Sequence, residues 1–145
     1  MSDSVCIDAS IVVKWLLPEA DSDQAIALRR RLRAEDRTLI APPHMPIEVT
    51  NVIRQRVVRH ELTPAEGEDL AGVLAEMPIL IASPPGLYRT AIDLAHRFDR
   101  PTVYDTQYVA LAQIAGCDFW TADRKLTKAL DNRLPFVKPL RSFAP

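Results

Sequence analysis

The stretch VCIDASIVVKWLLPE, running from Val5 to Glu19, places a charged residue where an apolar one would be expected. Val5-Cys6-Ile7 is an apolar run of strand length. Asp8, Ala9 and Ser10 then interrupt it, before a second apolar segment that Pro18 stops. A short β-branched run followed by helical periodicity is the opening of a β-α unit. The carboxylate at the mouth of that strand has two readings. It caps the helix that follows, or it holds something.

The same alternation continues outward from this unit. Ser4 to Ile7 reads as a strand, and Ser10 to Leu17 as a short helix. A helix is expected over about Ser22 to Ala34, with Ile26, Leu28 and Leu32 as apolar positions, then a strand at Thr38 to Ala41 ended by Pro42-Pro43. About Pro46 to His60 reads as a helix with Ile47, Val49, Val52, Ile53, Val57 and Val58 on its apolar side. Thr63-Pro64-Ala65-Glu66 is a capping box with proline at the first helical position, predicting a helix to about Met77. Ile79 to Ala82 is a third strand, and Pro85 to Phe98 and Val103 to Ala115 are helical, the latter ended by Gly116. Asp118 to Thr121 is a fourth strand, Arg124 to Leu130 a helix, and Pro135 to Lys138 a last short strand. Strands separated by helices predict an α/β fold, a mostly parallel central sheet with helices on both faces. Ligands of such sheets sit outside the carboxyl ends of the strands.

The chain as a whole agrees with one such domain over residues 1–145. Its 145 residues are enough for a sizeable core, and 48% hydrophobic with 26% charged residues is the composition of an ordinary globular protein. No apolar run reaches the roughly 18–20 residues that cross a bilayer, and the N-terminus lacks a basic signal-like segment, so no membrane association and a cytoplasmic location are expected. Cys6 and Cys117 fit neither a disulfide framework nor a metal spacing, and read as buried free thiols. Net charge is −1, which advertises no bulk attraction for nucleic acid. Basic residues nonetheless cluster at Arg29, Arg30, Arg31, Arg33 and Arg37, and again at Arg54, Arg56 and Arg59. Solvated helix faces explain them, and a polyanionic ligand is compatible with them.

Four carboxylates map to the ligand-binding edge of the expected sheet. Asp8 ends the first strand, Glu48 lies in the first turn after the second, Asp105 opens a helix, and Asp123 follows the fourth strand. Each has a local explanation. Asp8 and Asp123 are placed to cap helices, Asp105 stands three residues after Thr102 as in a capping box, and Glu48 suits a helix N-terminus. Local explanations do not account for convergence on one edge. Four uncompensated anions would repel, and a divalent cation resolves the repulsion. Oxygen-only donors suit a hard ion, Mg²⁺ or Mn²⁺, and the scattered His44, His60 and His96 offer no zinc-like cluster. Such ions commonly complete their shell with phosphate oxygens, so the residues point to metal-dependent phosphoryl chemistry.

The ordered motifs IDAS (7–10), PIEVTN (46–51), YDTQYVALA (104–112) and FWTADRKL (119–126) resemble the PIN-domain nucleases, most closely the VapC-type ribonuclease toxins of toxin–antitoxin modules. The likeness spans essentially the whole chain. It implies a PIN-type three-layer sandwich, Mg²⁺- or Mn²⁺-dependent endoribonuclease activity on RNA, homodimerisation and inhibition by a small cognate antitoxin. It places the family's acidic quartet on Asp8, Glu48, Asp105 and Asp123, and its hydroxyl positions on Ser10 and Thr121. Asp8 and Asp105 would be central ligands, with Asp123 and Glu48 direct or through water. Lys14 and, more weakly, Arg124 are candidates for a substrate phosphate, with surface snorkelling the alternative for Lys14. The apolar run Trp15-Leu16-Leu17 suggests either an exposed interface patch or packing of Trp15 beneath the neighbouring helix. Two other readings compete: a PIN-like protein that binds RNA or scaffolds without cutting, and a receiver-like Mg²⁺-dependent phosphoacceptor. The second leaves Glu48 without a role.

Overall fold

The computed structural model describes residues 3–145. The chain runs β1 (Ser4–Ile7), α1 (Ala9–Leu16), α2 (Ser22–Ala34), β2 (Thr38–Ala41), α3 (Met45–Val58), α4 (Pro64–Glu76), β3 (Ile79–Ile81), α5 (Leu87–Arg97), α6 (Tyr104–Ala115), β4 (Phe119–Thr121), α7 (Arg124–Leu130) and β5 (Val137–Pro139), followed by a 3₁₀ turn at Leu140–Ser142. The five strands form one sheet in the order β3-β2-β1-β4-β5, and every pairing is parallel. The α/β expectation holds. Right-handed crossovers then set α1 to α4 on one face and α5 to α7 on the other, the three-layer arrangement anticipated above.

The core follows from the strand sequences. Cys6 and Ile7 of β1 and Phe119 of β4 are fully enclosed, as central strands covered on both faces must be. On one side they meet Ile11, Val12 and Val13 of α1; on the other, Tyr108, Val109 and Leu111 of α6. Both cysteines are free and buried. The capping box at Thr63 forms in both directions, with Thr63 Oγ1 accepting from the Glu66 amide and Glu66 Oε1 accepting from the Thr63 amide. Gly116 ends α6 in the left-handed region, at φ 66°.

Several sequence expectations are corrected. On α2 the buried stripe is Ala25, Leu28 and Leu32, while Ile26 is exposed. On α3 only Met45, Val49 and Ile53 are buried, and Ile47 and Val58 lie open to solvent. α3 packs on α1 and α4 through these three residues, with Val52 partly buried against the core beside them. The last strand is Val137–Pro139, two residues beyond the predicted start, because Leu134 and Pro135 close a turn in which the Val137 amide bonds the Leu134 carbonyl. Of the two readings of Trp15-Leu16-Leu17, packing against the neighbouring helix holds: Trp15 Nε1 donates to the Ala25 carbonyl at 2.8 Å, its ring lies under Arg29, and Leu17 is buried.

Candidate active site

In the strand order, the sheet reverses direction between β1 and β4: from β1 the chain moves outward to β2 and β3, and from β4 outward to β5. The carboxyl ends of β1 and β4 therefore stand beside a gap, the place where ligands of open α/β sheets bind. A cleft of about 400 Å³ opens there, lined among others by Asp8, Ser10, Lys14, Glu19, Glu48, Asn51, Asp105 and Asp123. All four carboxylates singled out in the sequence line this one cleft.

Asp8 occupies the N-cap position of α1 but does not cap it. Its Oδ2 instead accepts two hydroxyl hydrogen bonds, from Ser10 Oγ at 2.8 Å and from Thr121 Oγ1 at 2.6 Å. Each hydroxyl is oriented in turn, Ser10 Oγ accepting from the Ala122 amide and Thr121 Oγ1 from the Asp123 amide, both at 3.0 Å. Since each hydroxyl has one proton, these amides leave it only the role of donor to Asp8. Oδ1 is left without a hydrogen bond among the described residues. Burial pushes the Asp8 carboxyl up to about 7; the Thr121 and Ser10 bonds pull it down, and Glu48 and Asp105 push it further up.

The other three carboxylates are held differently. Asp123 caps α7, its Oδ1 accepting from the Leu126 amide at 3.1 Å, and lines the cleft at the same time. Asp105 does not complete a capping box, since α6 starts after Val103 with no side-chain cap. Its Oδ2 pairs with Arg100 Nη2 at 3.1 Å. Burial raises the Asp105 carboxyl, Arg100 opposes that, and Asp123 and Glu48 add to it. Glu48 Oε1 accepts from the Tyr108 hydroxyl at 2.6 Å and lies 3.2 Å from His44 Nε2, which is not aligned for a hydrogen bond. Burial pulls the His44 imidazole down, but the neighbouring Glu48 carboxylate outweighs it and the net direction is up. Burial and the Asp8 and Glu48 charges push the Tyr108 hydroxyl far above its ordinary range, so it serves Glu48 as a proton donor.

Among the described residues, five carboxylates and one ammonium, Lys14, line this cleft, while Arg100 and Arg56 pair with Asp105 and Glu19 from beside it, so negative charge stays in excess. That imbalance is what a cation site requires, and all the donors are hard oxygens suited to Mg²⁺ or Mn²⁺. The residues present fit such an ion. Among the described residues no three side chains already stand close enough to make a finished ligand cluster, so a shell would close by side-chain rotation. Arg124 is exposed at the first position of α7 and does not line the cleft, so the structure does not bring it to the site. Asn51, Glu19, Arg100 and Tyr108 are site or supporting residues that the sequence reading did not single out. Asn51 was within reach, one helical turn beyond Glu48 on the same face.

The PIN domain model matches residues 5–131. Ribonuclease VapC12 of Mycobacterium tuberculosis, from strains CDC 1551 / Oshkosh and ATCC 25618 / H37Rv, is 32% identical over 125 residues, covering 86% of this chain and 91% of the relative. The crystal structure of Mycobacterium tuberculosis VapC20, a Sarcin-Ricin loop cleaving toxin, aligns with a TM-score of 0.65 over 93% of this chain and 99% of that chain. At 16% identity this last likeness concerns the fold alone.

Proposed function

The chain belongs to the PIN-domain family and, within it, to the VapC ribonucleases, and we propose that it is a metal-dependent endoribonuclease hydrolysing RNA phosphodiester bonds as the toxin of a toxin–antitoxin pair. The observation that carries this reading is the convergence of Asp8, Glu48, Asp105 and Asp123 on one cleft in which negative charge is in excess. Asp8 and Asp105 would be the central metal ligands, with Glu48 and Asp123 completing the set directly or through water. When bound, Mg²⁺ or Mn²⁺ supplies the Lewis acidity that makes water a nucleophile at neutral pH and offsets charge on the phosphate.

The chain's own residues prepare that chemistry. Ser10 and Thr121 hold Asp8 through Oδ2 and leave Oδ1 for the ion. Tyr108 fixes the carboxylate plane of Glu48, and Arg100 fixes that of Asp105. The Asp123 carboxylate is anchored by the helix it caps. A divalent cation held here would favour the ionised form of Asp8, its positive charge opposing the effect of burial. Partners in this reading are an RNA substrate, a small antitoxin protein and a second copy of the chain. Among the described residues no helix is long and apolar enough to cross a membrane.

The test is cleavage of a mixed structured and single-stranded RNA pool by the purified chain with Mg²⁺, with Mn²⁺ and with EDTA, beside an Asp8→Asn/Asp105→Asn variant. Cutting that requires metal and is lost in the folded variant is expected. Cutting that persists in EDTA or in the variant overturns the assignment of these carboxylates.

A further inference from the structure

Among the described residues, Lys14 is the one cation that lines the acidic cleft. It does not reach into the carboxylates. Its Nζ donates to the Ala20 carbonyl at 2.7 Å and lies 3.4 Å from Glu19 Oε1. The other oxygen of Glu19 takes Arg56 Nη2 at 2.6 Å, and Arg56 Nε stands 3.2 Å from Glu61 Oε2. The loop carrying Glu19 is itself pinned, its amide donating to Ser22 Oγ while that hydroxyl donates to the Leu17 carbonyl. Lys14, Glu19 and Arg56 are only 14%, 23% and 21% exposed, so these contacts are less screened than those of a typical surface pair.

A lysine on a flexible stem is a compact charge drawn to the nearest anions. Released from Glu19 and the Ala20 carbonyl, the Lys14 ammonium would find four carboxylates in its own cleft and neutralise them in place of a metal ion. The ion pairs from α1 to α3 oppose that collapse. We propose that Glu19, locked by Arg56, tethers the Lys14 ammonium at the rim of the acidic cleft, keeping the cation position clear and presenting the ammonium to an RNA phosphate beside the cut. This rests on the ribonuclease reading above. Glu19 and Arg56 are then positioning residues acting through Lys14.

A mutant cycle read by Mn²⁺ binding in calorimetry, with RNA kinetics alongside, tests it. Glu19→Gln is expected to weaken Mn²⁺ binding about tenfold, in the range of other outer-shell losses. Adding Lys14→Met to Glu19→Gln is expected to restore Mn²⁺ affinity, because the competing ammonium is gone. Lys14→Met alone is expected to leave Mn²⁺ binding no weaker, to raise KM for RNA with kcat little changed, and to lower the slope of log KM against log salt by about 0.7. Arg56→Gln should repeat Glu19→Gln in milder form, and Arg56→Lys should recover part of the loss. Thermal melts identify any variant that fails to fold, and the others in the series then decide.

If the Glu19→Gln/Lys14→Met double variant binds Mn²⁺ as weakly as Glu19→Gln, the tether is wrong and Glu19 acts on the ion itself. If Lys14→Met leaves both KM and the salt slope unchanged, the phosphate contact is wrong. A wild-type chain that neither binds Mn²⁺ nor cuts RNA overturns the ribonuclease reading together with this one. A wild type that does both while the cycle fails to close overturns the tether alone.

Discussion

Asp8→Asn should stabilise the metal-free protein while abolishing its activity, and the size of the gain should depend on pH. The Asp8 carboxyl is raised from 3.8 to about 7 by burial and by the neighbouring carboxylates. A folded value above the unfolded one means that the native state binds the proton more tightly. The contribution of Asp8 to stability is therefore fully present below about pH 4 and is lost as pH rises through about 7. At about 1.4 kcal/mol for each pH unit between the two values, ionised Asp8 costs the fold about 4 kcal/mol at pH 8, about 2 kcal/mol at pH 5, and almost nothing below pH 4. Asparagine keeps an oxygen to accept from Ser10 and Thr121, and carries no charge. Allowing for relaxation of the open cleft, Asp8→Asn should gain about 2–4 kcal/mol at pH 8, or roughly 6–12 °C in Tm at this chain length. Thermal melts in EDTA at pH 5 and pH 8 read it directly. Adding Mg²⁺ should raise the Tm of the wild type and leave Asp8→Asn unmoved, because only the charged form gains from the ion. A variant destabilised equally at both pH values would refute the reasoning, since the fold would then depend on a charged Asp8.

Two further substitutions separate support from structure. Tyr108→Phe keeps the ring stacked on Phe119 and removes the donor to Glu48; cleavage should fall about 10–100-fold with stability changed by no more than about 1.5 kcal/mol, as RNA kinetics and urea melts will show. Asp123 has two duties that its variants divide: Asp123→Asn can still accept from the Leu126 amide and should lose cleavage alone, whereas Asp123→Ala should lose cleavage and about 1 kcal/mol of stability in the same assays.

The acidic quartet was legible because the grammar that places it is local. A carboxylate after a strand, or in the first turn of the next helix, is carried to the carboxyl edge of a parallel sheet wherever the crossovers go. The choice between capping a helix and turning to the cleft was not legible, and the structure answers it differently at each position. Asp8 sits at an N-cap and caps nothing, while Asp123 caps its helix and still faces the cleft, so the two roles were never exclusive. The supporting contacts were hidden for another reason. Tyr108 reaches Glu48 across 60 positions, Thr121 reaches Asp8 across 113, and Arg56 reaches Glu19 across 37. No periodicity or spacing encodes such pairs. The apolar residues of α3 misled in part: six were assigned to its buried side, of which Val49 and Ile53 are buried, Val52 and Val57 are half-buried, and Ile47 and Val58 are exposed.

Register explains why Asp8 is the fixed member of the site. Cys6 pairs with Phe119 and Ile7 with Trp120, so the next step along both strands sets Asp8 level with Thr121. The Asp8 amide continues the ladder, donating to the Trp120 carbonyl at 3.0 Å. The Thr121 hydroxyl thus meets Asp8 as a consequence of strand pairing, and a slip of one residue would turn it to the other face of the sheet. Glu48 and Asp105 ride instead on the first turns of α3 and α6, and Asp123 on the loop before α7. The α3 and α6 backbones lie outside the β1–β4 ladder, whereas the Asp123 amide is held at the end of β4 by Thr121 Oγ1. In the proposed metal site, Asp8 would therefore hold the position set by β1 and β4, with Glu48, Asp105 and Asp123 brought to the same cleft by α3, α6 and the loop after β4.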